Sequence, residues 1–112
     1  MSALNAFSLS GQVAIVTGGG AGIGRSIAEL FSEAGAAVVV SDLKQETAEQ
    51  VASGIQAAGG RAVGLACDVT NPQARQALVD AAIAAFGKVN ILVNNAGGGG
   101  PKPFDMPMET FV

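Results

Sequence analysis

The chain has 112 residues, of which 49% are hydrophobic and 13% are charged, a composition that suits one folded domain and excludes a disordered chain. Its formal net charge is −3 and it carries no basic stripe, so nucleic acid is not an expected partner. The absence of His excludes a Ser-His-Asp triad and a His-ligated metal within these residues.

Four short apolar runs alternate with three segments of helical periodicity. The predicted strands span 13–17, 37–41, 62–67 and 89–94. The first predicted helix follows a glycine-rich turn at 18–24 and stops at Gly35, and the second ends near 59–60. The third starts at Pro72 with Thr70 or Asn71 as its cap and ends at Gly87. The residues predicted to face inward are Ile23, Ile27, Leu30, Phe31 and Ala34 in the first helix, Ala48, Val51, Ala52 and Ile55 in the second, and Ala74, Leu78, Ala81, Ala82, Ala85 and Phe86 in the third.

The resulting βαβαβαβ order predicts an α/β fold with a doubly wound, Rossmann-type parallel sheet. Strands that are apolar throughout are buried on both faces, as in parallel sheets covered by helices. The expected strand order is 3-2-1-4, and ligands should bind at the switch point beyond the carboxyl ends of the first and fourth strands. One domain is expected, without a linker, an internal repeat or a second domain. The glycines and prolines of 97–103 exclude helix or central strand there, and 106–112 could begin another helix.

Residues 1–10 hold no basic residue before an apolar run, so a secretory signal is not expected. No apolar run approaches the roughly 20 residues of a membrane span. We therefore expect a cytoplasmic protein without a membrane partner. The single Cys67 cannot form an internal disulfide and is interpreted as a small core residue.

The turn at 17–24 (TGGGAGIG) lies between a strand and a helix, which is the setting of a dinucleotide site. Gly18 can make the tight turn, Gly22 can let the backbone approach a pyrophosphate, and Gly24 can let the helix lie close to the sheet. The helix N-terminus would offer free N–H groups to the phosphates. A Walker-type phosphate loop is excluded because Arg25, not Lys, follows Gly24. The alternative is a turn that only connects two elements.

Asp42 follows the second predicted strand. A carboxylate at this position can accept hydrogen bonds from both hydroxyls of an adenosine ribose, and it would repel a 2′-phosphate. Neither Ala21 nor Leu43 supplies a cation for such a phosphate. The sequence therefore predicts NAD rather than NADP. The alternative is a solvated Asp that caps the second helix, and both roles could coexist.

Two further polar pairs follow the third and fourth predicted strands. Asp68 could meet an adenine amino group while Val69 packs on the ring, or Asp68 could cap the third helix. Asn94 and Asn95 end an apolar strand, where their amides are costly unless they are hydrogen-bonded. One of them could tie neighbouring strands together, and the alternative is an ordinary Asn-rich turn.

Taken together and in this order, these features resemble the short-chain dehydrogenase/reductase family. The matching residues are Thr17-Gly18-x-x-x-Gly22-x-Gly24, Asp42, Asp68-Val69 and Asn94-Asn95-Ala96-Gly97. The resemblance covers the whole chain, but a little under half of a typical family chain. It implies that residues 1–112 are the N-terminal, incomplete part of a single Rossmann-type dinucleotide-binding domain.

The resemblance implies an NAD-dependent oxidoreductase that acts on a secondary alcohol. By the family's pattern, the cofactor-binding residues are Gly18, Gly22, Ile23 and Gly24 for the pyrophosphate, Asp42 and Leu43 for the adenine ribose, Asp68 and Val69 for adenine, and Asn95, Ala96 and Gly97 for the nicotinamide side. The family's catalytic Asn, Ser, Tyr and Lys lie beyond Val112, and this sequence contains no Tyr. No catalytic residue is therefore assigned within 1–112, and this portion alone is expected to be inactive. The full-length protein is expected to be a homotetramer, because most members of the family are.

Residues 94–108 (NNAGGGGPKPFDMPM) are most similar to family members that oxidise the 7α-hydroxyl of bile acids. Gly99 and Gly100 would leave room for a bulky substrate, and Phe104, Met106 and Met108 could form an apolar wall. The loop could instead be a flexible connector. Two other functions stay open: a non-catalytic NAD-binding module that senses redox state, and a flavodoxin-like regulator, which Asp42 and the glycine spacing disfavour.

Overall fold

A computed structural model describes residues 8–95, and their four strands form one parallel sheet of order β3-β2-β1-β4. The strands are β1 (Val13–Thr17), β2 (Ala37–Asp42), β3 (Arg61–Ala66) and β4 (Ile91–Asn94), and the helices are α1 (Gly22–Glu33), α2 (Gln45–Ala57) and α3 (Pro72–Phe86). All three strand pairs are parallel. The predicted doubly wound fold and strand order are confirmed.

The two central strands are buried on both faces. Every residue of β1 is buried, as are the first five residues of β2. Val38 and Val40 pack with α1 and α2 on one face, whereas Ile15 and Val39 pack with α3 on the other. Each fully buried Val or Ile side chain contributes about 1.5–3 kcal/mol relative to its exposed state, so these continuous apolar runs hold the centre of the sheet.

The third helix has both of the predicted end signals. Asn71 is its N-cap, and its Oδ1 accepts hydrogen bonds from the backbone N–H groups of Gln73 at 2.9 Å and Ala74 at 3.1 Å. Gly87 ends the helix in the left-handed region, with φ of 87°, and donates to the carbonyl of Ile83. Of the two candidate caps, Asn71 is therefore correct.

Several predicted boundaries and facings differ from the structure. α1 begins at Gly22, inside the segment predicted as turn. β4 begins at Ile91 rather than Val89. Asn90 donates its backbone N–H to the Val13 carbonyl but accepts the Val13 N–H with its side-chain oxygen, which interrupts the regular backbone pairing before Ile91. Ile23 and Leu30 were predicted to face inward, but their exposed fractions are 73% and 48%.

Ala85 of α3 is exposed as well, against prediction. In α1 and α3 the apolar pattern is wider than the face that each helix buries against the described sheet. The inward residues of α2 are all buried, as predicted. Among the described residues, no helix is long and apolar enough to cross a membrane.

Candidate functional site

The glycine-rich turn follows β1 at the carboxyl edge of the sheet. Gly18 and Gly22 have φ of 62° and 59°, in the left-handed region that side chains other than glycine rarely adopt. A Cβ built on Gly22 meets no atom within 4 Å, so the backbone there faces open space. The two glycines thus shape a turn whose backbone a ligand can approach closely.

Gly24 is required for a different reason, because it lies against the turn itself. A Cβ at this position would collide with the carbonyl oxygen of Gly18 and would lie 2.7 Å from Nδ2 of Asn95. The sequence predicts that this glycine lets α1 approach the sheet. In the structure its contacts are the turn and the residue that follows β4.

Asp42 is the last residue of β2 and points its carboxylate at the glycine-rich turn. Oδ2 accepts a hydrogen bond from the Gly20 N–H at 3.1 Å, and Oδ1 accepts one from the Leu43 N–H at 2.8 Å. Each oxygen retains a further lone pair for a ligand hydroxyl. The alternative that Asp42 caps α2 is wrong, because Lys44 is the N-cap and the Asp42 carboxylate accepts from Gly20 and Leu43.

A polar cluster ties β1 to β4 beneath the turn. The buried Thr17 hydroxyl lies 3.2 Å from the Val93 carbonyl oxygen and 3.3 Å from Oδ1 of Asn94. The same hydroxyl oxygen accepts a hydrogen bond from the Asn95 N–H at 3.0 Å, and the Asn95 side-chain amide donates to the Gly18 carbonyl at 3.3 Å. The prediction that one Asn ties neighbouring strands together is therefore confirmed for both.

Asp68 folds the loop after β3 into a tight turn. Its Oδ1 accepts from the backbone N–H of Thr70 at 2.9 Å and from the Thr70 hydroxyl at 2.6 Å. These hydrogen bonds lower the pKa of the Asp68 carboxyl, so it is an anion at neutral pH. Arg75 donates to the Val69 carbonyl at 2.6 Å and fixes the same loop from α3. Asp68 does not cap α3.

Two large apolar side chains, one next to Asp42 in the chain and one at the start of α1, are exposed. Ile23 and Leu43 each have 73% of their surface exposed. Exposed side chains of this size are ordinary when single, but here both adjoin the same polar site. They can cover the apolar face of a ligand held by the turn.

The N-terminus of α1 carries an uncompensated positive dipole end. Ala21 is its N-cap and offers no side-chain hydrogen bond, and no acidic residue lies in the first turn. Free N–H groups at such a helix end bind phosphate. The turn, the helix end and Asp42 therefore suit a ligand that has both phosphate and sugar hydroxyl groups.

Cys67 is buried, as predicted, and packs with Ile15 and Val39. Burial raises the pKa of its thiol, and the neighbouring Asp68 carboxylate raises it further. The residue is therefore a poor nucleophile. Within residues 8–95, no cluster of His, Cys, Asp and Glu could hold a metal ion.

Sequence reasoning assigned no role to Gly20, Thr47 or the Thr17 hydroxyl, although all three shape the site. Gly20 is a glycine outside the three positions of the dinucleotide pattern, and this is the weak sequence signal by which its role in the site could have been found. Four predicted site residues, Ala96, Gly97, Gly99 and Gly100, lie outside the described residues, as does the possible helix at 106–112.

A parallel 3-2-1-4 sheet, with a glycine-rich turn after its first strand and a carboxylate ending its second, defines the doubly wound class that binds dinucleotides. The sequence pattern described as short chain dehydrogenase matches residues 12–111. The chain belongs to this family.

Known relatives agree with this membership. The chain is 58% identical over 103 residues to 7alpha-hydroxysteroid dehydrogenase of Escherichia coli strain K12, covering 92% of this chain and 40% of that protein. A 7 alpha-hydroxysteroid dehydrogenase structure complexed with NADH and 7-oxo glycochenodeoxycholic acid has 55% identity and a TM-score of 0.83, covering 98% of this chain and 43% of that one. A short chain dehydrogenase/reductase from Burkholderia phymatum, in complex with NAD, has 42% identity and a TM-score of 0.77, covering 81% of this chain and 32% of that one. The chain thus spans about two fifths or less of the length of these relatives.

Proposed function

We propose that this chain is the NAD-binding portion of an oxidoreductase that acts on a secondary alcohol. The observation that carries the proposal is the Asp42 carboxylate, held 3.1 Å from the Gly20 N–H at the edge of the glycine-rich turn. The carboxylate is thus joined to the turn that leads into α1, and this supports a site in which Asp42 would bind the adenosine ribose and the helix end would bind the pyrophosphate.

The residues present fit this cofactor. The pyrophosphate would lie over Gly18 and Gly22 at the start of α1, where open space adjoins the Gly22 backbone. Ile23 and Gly24 belong to the same first turn of α1 and would complete the pyrophosphate site. Asp42 would accept hydrogen bonds from the ribose hydroxyls, and the exposed Leu43 would cover the adenosine.

The adenine end of the cofactor would meet the loop after β3. The ionised Asp68 keeps one carboxylate oxygen for the adenine amino group, because the structure uses only Oδ1 within the loop. Val69 is partly buried among core residues and would pack on the adenine ring. Asn95, with Ala96 and Gly97 after it, would line the nicotinamide side.

The nicotinamide would accept a hydride from the alcohol carbon. Residues 1–112 would hold and orient the cofactor for that step, and no catalytic acid or base is assigned among them. Discrimination against NADP would come from Asp42, because a carboxylate repels a 2′-phosphate, and neither Ala21 nor Leu43 carries a compensating cation.

The proposed substrate is a hydroxysteroid such as a bile acid. Support comes from the 58% identity to a 7alpha-hydroxysteroid dehydrogenase and from the glycine-rich stretch 97–100. If this stretch forms part of the substrate site, Gly99→Leu in the full-length enzyme should abolish or weaken bile-acid turnover and leave NAD affinity unchanged. Unaltered bile-acid kinetics in that variant would remove the stretch from the substrate site.

The cofactor proposal is tested by calorimetric titration of the full-length protein with NAD and NADP, for wild type and Asp42→Ala. Hydrogen bonds to a charged group contribute about 1.5–3 kcal/mol, so NAD affinity should fall by roughly 10- to 150-fold in the variant. NADP affinity should hold or rise, because the repulsive charge is gone. Equal wild-type affinity for the two cofactors would refute the proposal.

A further inference from the structure

The Asp42 carboxylate is held by two backbone N–H groups before any ligand binds. One belongs to its neighbour Leu43 at 2.8 Å, and the other comes from Gly20 in the glycine-rich turn at 3.1 Å. Of these two contacts, the one from Gly20 joins the carboxylate to the turn on which a pyrophosphate would lie. The direction of the carboxylate therefore depends on how closely Gly20 approaches it.

Space, not backbone conformation, favours glycine at position 20. Its φ is not among the positive values that Gly18 and Gly22 adopt, so a side chain would be allowed by its backbone angles. A Cβ there would, however, lie 2.6 Å from Oδ2 of Asp42 and would collide with the Cγ2 methyl of Thr47. An added methyl group must therefore displace the carboxylate, the Thr47 side chain or the turn.

Displacement of the carboxylate is the expected response. Asp42 and Thr47 are both partly exposed side chains that can rotate, whereas Gly20 is buried and the turn is fixed by the Gly19 N–H bond to the Ser41 carbonyl at 2.9 Å. Rotation of Asp42 away from position 20 breaks its bond to the Gly20 N–H. The carboxylate then loses the orientation that faces a ribose at the turn.

We infer that Gly20 is a positioning residue that sets the preference for NAD over NADP by holding the Asp42 carboxylate against the turn. The inference rests on the proposed NAD-binding function of this site and adds a residue outside the three glycines of the dinucleotide pattern. Glycine thus has two different roles in one turn. Gly22 leaves space for a ligand, and Gly20 leaves space for the Asp42 carboxylate.

The test compares Gly20→Ala with Gly54→Ala in the full-length protein. Gly54 is an exposed residue of α2 whose added Cβ would meet nothing within 4 Å, so it controls for the same chemical change without the contact. Both variants and wild type are titrated with NAD and NADP by calorimetry. Thermal melting by circular dichroism reports whether each variant is folded.

In Gly20→Ala, the dissociation constant for NAD should rise about tenfold, as expected for the loss of an oriented hydrogen bond to a charged group. The constant for NADP should stay the same or fall, so the NAD/NADP preference falls by a factor of about ten or more. Gly54→Ala should keep the wild-type preference. If the ratio of the two dissociation constants in Gly20→Ala is the same as in wild type, whether or not both constants rise, the inference is overturned.

A second variant keeps the test decisive if Gly20→Ala is poorly folded. Asp42→Ala/Thr47→Ser removes both side-chain groups that the new Cβ would meet, so Gly20→Ala can be added to it without a collision. In that background Gly20→Ala should leave the NAD/NADP preference unchanged, because the carboxylate through which Gly20 acts is absent. A further change in the preference would show that Gly20 does not act through Asp42 and would overturn the inference. Failure of wild type to bind NAD would refute the proposed function itself, which is a separate outcome.

Discussion

Changing glycine to alanine should have opposite effects on stability at two helical positions of this chain. Gly24 lies in the first turn of α1, and Gly54 lies in α2. Alanine is a better helix former than glycine by about 1 kcal/mol, so propensity alone would stabilise both variants. Only the surroundings of the added methyl group distinguish them.

At Gly24 the added Cβ would collide with the Gly18 carbonyl oxygen and would lie 2.8 Å from the Gly18 carbonyl carbon. Both atoms are backbone, so they cannot rotate away. Overpacking of this kind costs about 1–3 kcal/mol. Displacing Asn95 from the Gly18 carbonyl removes a hydrogen bond that contributes about 0.5–1.5 kcal/mol. After the gain in propensity, Gly24→Ala should be destabilised by about 0.5–3.5 kcal/mol.

The control has none of these contacts. Gly54→Ala adds a methyl group to open space and should raise the free energy of unfolding by about 0.5–1 kcal/mol. Urea unfolding of the full-length protein, followed by far-ultraviolet circular dichroism at one fixed protein concentration, measures both values against wild type. If Gly24→Ala proves as stable as Gly54→Ala, α1 does not approach the turn as described.

Three further outcomes follow from the composition, the sheet and the ionisable groups. A polypeptide of residues 1–112 should not oxidise secondary alcohols with NAD, because it has no Tyr or His to act as a tuned acid or base; turnover above a no-protein control would contradict this. The same polypeptide should self-associate in light scattering, since among described residues β4 pairs only with β1 and leaves an apolar edge; a monodisperse monomer would count against it. Hydrogen bonds from Thr70 lower the pKa of the Asp68 carboxyl, so the turn that Asp68 forms with Thr70 should be stable at neutral pH and should lose stability only as the pH falls through that lowered pKa. Thr70→Val removes the hydroxyl donor and should raise the pKa of Asp68, as measured by NMR titration.

The order of the elements was predictable because local patterns determine it. Continuous Val and Ile runs predict buried parallel strands, and the periodicity of α2 places Val51 and Ile55 in the core, where the structure has them. The limits of β4 were not predictable in the same way. Asn90 pairs with Val13 across a long stretch of chain, and no local pattern reports such a contact.

The candidate site was predictable where it depends on residue type and position, but not where it depends on distance. The glycine pattern and Asp42 are visible in the sequence, because a tight turn and a ribose carboxylate each require particular residues at particular positions. The role of Gly20 depends on how near two segments lie in space, and the role of the Thr17 hydroxyl depends on which strand is its neighbour. Both facts follow from the folded sheet.

The glycine-rich turn is already fixed on several sides in the structure, and this bears on how the site would bind a ligand. Gly19 donates to the Ser41 carbonyl, Gly20 donates to Asp42, and the Asn95 side chain donates to the Gly18 carbonyl. Fixing a flexible backbone costs about 1–2 kcal/mol per residue, and a site that is ordered during folding does not incur that cost again on binding. Substitutions that loosen these hydrogen bonds should therefore weaken cofactor affinity even where the altered residue touches no ligand atom.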